Sequence, residues 1–376
     1  MKKKIISILL CVLVVFALAA CRNSDNGTDK GTTDGGDDSG TYEIAVVTDV
    51  GQLMDKGFNQ GTYEGAKKYA DDNGISMKYY QPANGADATD NDRIDAMNQA
   101  IENGAKIIVA PGFLQATAME AVAKENPEVK FVFVDGWAMG LDNVTAIVYK
   151  EQEAGYFAGY AVVKEGYTKL GFTGGGGGSN PAVNRYGYGF VQGAEAAAEE
   201  MGVDIEMKYS YMYGSTFQAS TELQTQIAGW YAAGTEVVFA CGGSMFQSVL
   251  SAAAEYENAK IVGVDVDQSG ESSQVITSAM KGLSASVEQV LGQFYDGKWD
   301  SELADKAQNL GAAENATGLP TDTWSMTNYT VDQYNELFQK VASGEIVPDA
   351  EVPEDCNNAD WLNEKGFKHV TISFEG

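Results

Sequence analysis

From Tyr42 onward the chain alternates short, continuously apolar runs with amphipathic helical stretches, and that alternation leaves few folds open. The runs fall at 44–47, 107–109, 131–134 and 146–148, then at 170–172, 236–240 and 261–264. Apolar residues throughout a run, in place of strict alternation, are the pattern of parallel strands buried on both faces. Between the runs, spacings of three and four gather Ile94, Met97 and Ile101 on one helical stripe. The same spacing gathers Phe190, Ala194, Ala197 and Met201, and again Phe246, Val249, Ala253 and Tyr256. Glycines at 74, 104, 202 and 234 stop several of these helices. Repeated strand–helix units predict a doubly wound α/β fold.

The pattern breaks near 149–152, after about five strands, and then restarts. Two similar lobes around a central ligand cleft are the simplest arrangement: 42–149 forms lobe one and 150–278 lobe two. A return segment over about 279–320, with Leu283, Val287, Val290 and Phe294 on one helix face, rejoins lobe one. The segment 321–376 carries a further helix face of Val331, Tyr334, Phe338 and Val341 and has no assigned place.

The amino terminus reads differently. Three lysines precede an apolar run from Ile5 to Ala20, which has the charge, length and flanks of a signal peptide over 1–20 and is short for a membrane span. It ends in Leu18-Ala19-Ala20-Cys21, which resembles the lipobox of bacterial lipoproteins. The resemblance implies cleavage before Cys21 and its acylation, with palmitate holding the chain on the extracytoplasmic face of the cell membrane. Residues 21–41 contain no large apolar side chain and form a flexible tether, because such a segment cannot bury enough surface to offset its chain entropy.

Of 25 Lys and Arg the leader removes three, leaving 22 against 53 acidic groups, a formal charge of −31. No basic cluster survives, which argues against nucleic acid and anionic lipid surfaces as partners. The single histidine, His369, argues against catalytic triads and histidine-rich metal centres. Past the leader and Cys21 only Cys241 and Cys356 remain; Cys241 ends an apolar strand as a buried thiol, and whether the two pair is open.

In doubly wound sheets ligands sit at the carboxyl ends of strands. The loop after the first run, 48–60, holds Asp49 and opens its helix with Phe58 and Asn59. These could cap the helix and pack in the core, or face a ligand. Other strand ends carry Phe113 within 111–115, Asp135 within 135–137, the glycine run 174–178, Gly243 within 241–244, and Asp265 within 264–268. Lys281 lies just past the return crossing. Carboxylates accept paired hydroxyls, aromatics stack on planar rings, and glycine admits a ligand close to the backbone. No arginine stands at these ends and no Gly-Lys-Ser/Thr follows the glycine run, which argues against a phosphate cradle. Asp267 is read as structural, not as half of a metal pair with Asp265.

Thr48-Asp49-x-Gly-x-x-x-Asp55-Lys56-x-Phe58-Asn59-Gln60 resembles the signature of the basic membrane protein family, purine nucleoside-binding lipoproteins of ABC transporters. The likeness continues through Pro111-Gly112-Phe113, Phe133-Val134-Asp135-Gly136, Cys241-Gly242-Gly243, Gly263-Val264-Asp265-Val266-Asp267-Gln268 and Thr277-Ser278-Ala279-Met280-Lys281. It implies a periplasmic-binding-protein type I-like fold, no cofactor, no catalysis, and ABC permease and ATPase components as partners. It further implies that Phe58 stacks on the purine, that Asp49, Asn59 and Asp135 are first-lobe polar contacts, and that Asp265 accepts the ribose hydroxyls with Lys281 behind it. Gly57 stands where the family usually has serine, the glycine run is longer, and Ser244-Met245 replaces smaller residues. The purine preferred is therefore open, and so is a second stacking aromatic among Phe217, Trp230 and Phe246. Three other readings compete: a receptor for another small ligand such as a sugar, a nucleosidase using Asp49 with Asp135, and a lipoprotein binding surface components through its exterior.

Overall fold

A computed structural model describes residues 41–376 apart from 51 and 359. The leader, Cys21 and all of the tether but Thr41 lie outside the described residues. The elements run β1 (Ile44–Val47), α1 (Phe58–Asn73), β2 (Met77–Tyr80), α2 (Asp90–Glu102), β3 (Ile107–Pro111), α3 (Ala116–Glu125), β4 (Lys130–Val134) and β5 (Val144–Tyr149). Then come α4 (Glu151–Glu165), β6 (Lys169–Gly174), α5 (Pro181–Met201), β7 (Ile205–Ser210), α6 (Thr221–Ala232), β8 (Val237–Cys241), α7 (Met245–Ala253), β9 (Lys260–Asp265) and β10 (Val275–Lys281). The chain closes with α8 (Leu283–Tyr295), β11 (Ala307–Leu310), β12 (Thr317–Gly318), α9 (Val331–Ala342), α10 (Asp360–Glu364) and β13 (Val370–Glu375).

Two sheets result. One has the order β11-β5-β4-β3-β1-β2 and is parallel throughout. The other has the order β12-β10-β9-β8-β6-β7-β13 and is parallel except where β12 meets β10. The central strands are buried along their whole length, as continuous apolar runs require. The chain passes between sheets three times, after β5, after β10 and between β11 and β12.

Some expectations change. Of the return segment expected over about 279–320, residues 279–281 still belong to β10, and 317–318 pair with β10 in the second sheet. Only the stretch holding α8 and β11 lies on the first. There α8 packs on α1, with Leu283, Val287 and Val290 buried in the first-sheet core. The unassigned segment 321–376 belongs to the second sheet: α9 packs against α4, and β13 forms the edge beside β7. Met201, placed on the buried stripe of α5, is 41% exposed at the helix end, and Tyr256 lies beyond the end of α7. Strands β2, β7 and β13 carry no continuous apolar run because they lie at or next to sheet edges, where polar residues such as Glu206 and Thr371 reach solvent.

The close pairing of α4 with α5 prepares the site. Gly155 and Gly159 on α4 abut Gly189 and Gly193 on α5. A Cβ on any of the four would overlap a main-chain oxygen of the opposite helix, that of Phe190 in the case of Gly159. Small residues spaced by four let two helix backbones touch. The first turns of the two helices, which carry Glu151, Arg185 and Tyr186, are thereby held in one register. Alanine for glycine in a helix normally stabilises by about 0.5–1 kcal/mol. Here Gly159→Ala is expected to do the opposite and cost about 1–3 kcal/mol through overpacking, read as a lower urea midpoint at unchanged slope.

Candidate functional site

The strand-end loops of both sheets line one cleft, the place where such folds hold small ligands. Asp49, Phe58, Asn59, Phe113, Asp135, Gly243, Asp265 and Lys281 all line it. Lobe one contributes the first five, and β8, β9 and β10 position the rest.

Asp55 decides which of these side chains are free. Its Oδ1 accepts from the Gly57 and Gln60 amides at 2.9 and 3.1 Å, and its Oδ2 accepts from the Asn59 amide at 3.0 Å. Asp55 therefore caps α1, a role that Asp49 and Asn59 could have filled. The Asn59 side chain also hydrogen-bonds Asp55, while its Oδ1 is buried without a partner. An orphaned buried acceptor is costly unless a ligand supplies a donor. Asp49 accepts its neighbour's amide, from Val50 at 2.6 Å. Its carboxylate fits because Gly112, at φ 101, has no Cβ to occupy the same space. Burial, opposed by the Val50 amide, pushes the Asp49 carboxyl up to about 6.

Opposite stands a charged cluster. Asp135, just past β4, and Asp265, at the end of β9, stand in left-handed backbone, at φ 58 and 66, a conformation aspartate tolerates better than most residues. Both turn toward Lys281. Its ammonium lies 2.5 Å from Asp135, 3.3 Å from Glu151 and 3.9 Å from Asp265, and about 5 Å from the ring centres of Phe58, Tyr149 and Tyr186. Burial alone would lower the Lys281 pKa, and the three carboxylates raise it instead. Glu151 is fully buried, yet Lys281 and Arg185 keep its carboxyl below the ordinary range. Asp265 receives the Tyr186 hydroxyl at 3.2 Å. Burial, only partly offset by Lys281, drives its carboxyl to about 7.

Three aromatics were candidates for a second stack. Phe217, at φ 59, lines the cleft from lobe two, whereas Trp230 and Phe246 are core residues beneath β8. The glycine run is explained here without a phosphate, since a Cβ on Gly175 would collide with the Phe217 ring. Asp267 caps Ser269 and accepts from Thr323 at 3.0 and 2.7 Å, so it is structural. Gln268 crosses between lobes, donating to the Lys56 carbonyl at 2.7 Å. Cys241 and Cys356 are buried free thiols. His369 lies beside Asp204, at the start of the β13 edge and outside the cleft. Sequence reasoning missed Asp55 as a cap, and Glu151, Arg185 and Tyr186 altogether. A lysine ending a buried strand was the available signal, because such a charge demands partners.

The family described as ABC transporter substrate-binding protein PnrA-like matches residues 42–351. A Lactococcus lactis subsp. cremoris protein described as the ABC transporter nucleoside-binding protein BmpA is 31% identical over 324 residues, covering 80% of this chain and 87% of its own. Basic membrane protein A2 of Borrelia garinii subsp. bavariensis is 24% identical over 317 residues, 82% of this chain and 89% of its own. The crystal structure of an ABC transporter solute-binding protein from Aeropyrum pernix K1 superposes with a TM-score of 0.70 at 23% identity, covering 86% of this chain and 97% of that one. At that identity the likeness shows the fold.

The ionisation of Asp265 sets a stability profile. Its carboxyl titrates near 3.8 ordinarily and at about 7 in the fold. Between those values the unfolded chain gives up its proton first, so stability falls as pH rises. Asp265→Asn should therefore stabilise the ligand-free protein at pH 8, by on the order of 2–4 kcal/mol at about 1.36 kcal/mol per unit. The gain should vanish below about pH 4, as measured by denaturant titration at both pH values.

Proposed function

The chain belongs to the PnrA-like family of ABC transporter substrate-binding proteins, and from that premise we propose that it binds purine nucleosides, such as guanosine, inosine or adenosine, in the interlobe cleft for uptake. Phe58 from one lobe and Phe217 from the other hold the base. The Asn59 Oδ1 and Asp49 accept its N–H groups, and Asp265 accepts the ribose hydroxyls with Lys281 and Asp135 around it. Phe113 and Gly243 complete the walls. The observation that carries this reading is the presence in one cleft of an aromatic from each lobe, an unpartnered buried acceptor and a buried carboxylate. Stacking tolerates any flat base, at about 1–3 kcal/mol per base. A buried carboxylate left without its hydroxyls penalises ligands that lack them.

The protein binds without turnover and delivers the nucleoside to ABC permease and ATPase components. Processing before Cys21 and acylation of that residue would hold it at the extracytoplasmic face of the cell membrane. No described helix is long and apolar enough to cross a membrane.

Calorimetry on the chain from residue 41 onward should show micromolar or tighter binding of guanosine, inosine or adenosine and none of free ribose, with the nucleoside recovered intact. Binding of ribose alone would favour a sugar receptor. Phe58→Ala and Phe217→Ala should each weaken guanosine binding roughly tenfold or more. Unchanged affinity in either variant removes that ring from the stack. Asp265→Ala should abolish the preference for guanosine over its 2′,3′-dideoxy analogue, and a preference that survives ends the role of Asp265.

A further inference from the structure

Lys281 lines the cleft, but the pair behind it does not. Glu151 opens α4 and is fully buried. Its Oε2 accepts from Arg185 Nε at 2.6 Å, and its Oε1 lies 3.3 Å from Lys281. Two cations, Lys281 and Arg185, thus meet three carboxylates, Asp135, Glu151 and Asp265. One negative charge is left over, and the longest contact of Lys281, 3.9 Å, falls on Asp265.

We propose that Glu151 and Arg185 are positioning residues that draw Lys281 away from Asp265 and so fix the acidity range in which the cleft holds its ligand. This rests on Asp265 accepting the sugar hydroxyls, as proposed above. Glu151 competes with Asp265 for one ammonium, and Arg185 limits that competition by neutralising Glu151. The other groups facing Asp265 are the Tyr186 hydroxyl from α5, Asp135 beyond β4, Asp55 ahead of α1 and the Cys241 thiol ending β8. Of these, Asp135, Tyr186 and Cys241 also feel the Glu151 charge, and Asp135 feels that of Arg185 as well. Asp49, Asp55 and Asp135 also line the cleft and are pushed upward by burial; Asp135 feels Lys281, Glu151 and Arg185, whereas Asp49 answers to Val50, Arg93 and Asp55.

The two substitutions therefore act in opposite directions. Glu151→Gln frees Lys281 for Asp265, which then ionises more readily. Arg185→Gln leaves Glu151 drawing on Lys281 alone, and Asp265 ionises less readily. A purely structural pair would weaken binding in both variants without moving the pH dependence.

The test is guanosine affinity measured from pH 5 to 9. In the unaltered protein affinity should fall as pH drops through about 7. E151Q should lower that midpoint by about one unit and R185Q should raise it by about one, the scale of a charge gained or lost within a few ångströms. R185K, which keeps the charge, should hold the unaltered midpoint. Midpoints that stay put, or that move the same way in both glutamine variants, overturn the proposal. Should E151Q fail to fold, R185Q against R185K decides it alone. Carboxyl carbon NMR titration of Asp265 in ligand-free protein reads the same shifts without guanosine. Opposite shifts there, together with no guanosine binding, would support the pair and overturn the proposed ligand. Unmoved shifts with guanosine bound would do the reverse.

Discussion

The ammonium of Lys281 is the charge around which the site is organised. It sits at the end of β10, where the chain leaves the second sheet, and it touches carboxylates contributed by both lobes. A lone buried ammonium would shed its proton, since desolvating it costs several kcal/mol. Here Asp135 and Glu151 keep it charged. Their own burial is tolerable because Lys281 and Arg185 are there. No member of the cluster could be buried without the others.

That mutual dependence explains the backbone around it. The left-handed turns at Asp135 and Asp265 aim two strand-end carboxylates at one point, and the glycine contact between α4 and α5 fixes Glu151 relative to Arg185 and Tyr186. Strain and close packing are stored where the cleft needs fixed geometry, the usual place for such features. The charge left over on Asp265 and the orphaned Asn59 acceptor cost the fold stability. Both defects suit a ligand that offers N–H and hydroxyl donors, and its binding would repair them.

Asp55 shows how a structural residue leaves its neighbours free to face the cleft. A helix N-terminus needs an acceptor, and Asp49, Asp55 or Asn59 could each have supplied one. Because Asp55 takes three amides, Asp49 and the Asn59 Oδ1 remain open to the cleft.

Local chemistry wrote much of this protein into its sequence. Short continuous apolar runs alternating with helical stripes fit strands covered on both faces, so the parallel sheets were legible, and strand-end loops became the place to look for a site. Phe58, Asp135, Asp265 and Lys281 could be named from their places in those loops. The edge strands β2, β7 and β13 could not, because half-exposed strands carry polar residues that mask the pattern. Nor could the sequence say that α9 and β13 return to the second sheet, that Phe217 and not Trp230 or Phe246 faces the cleft, or that Glu151 and Arg185 stand behind Lys281. Those facts depend on which residues, distant along the chain, come within a few ångströms of one another. Periodicity reports only what a segment buries, and the tertiary structure alone decides against what.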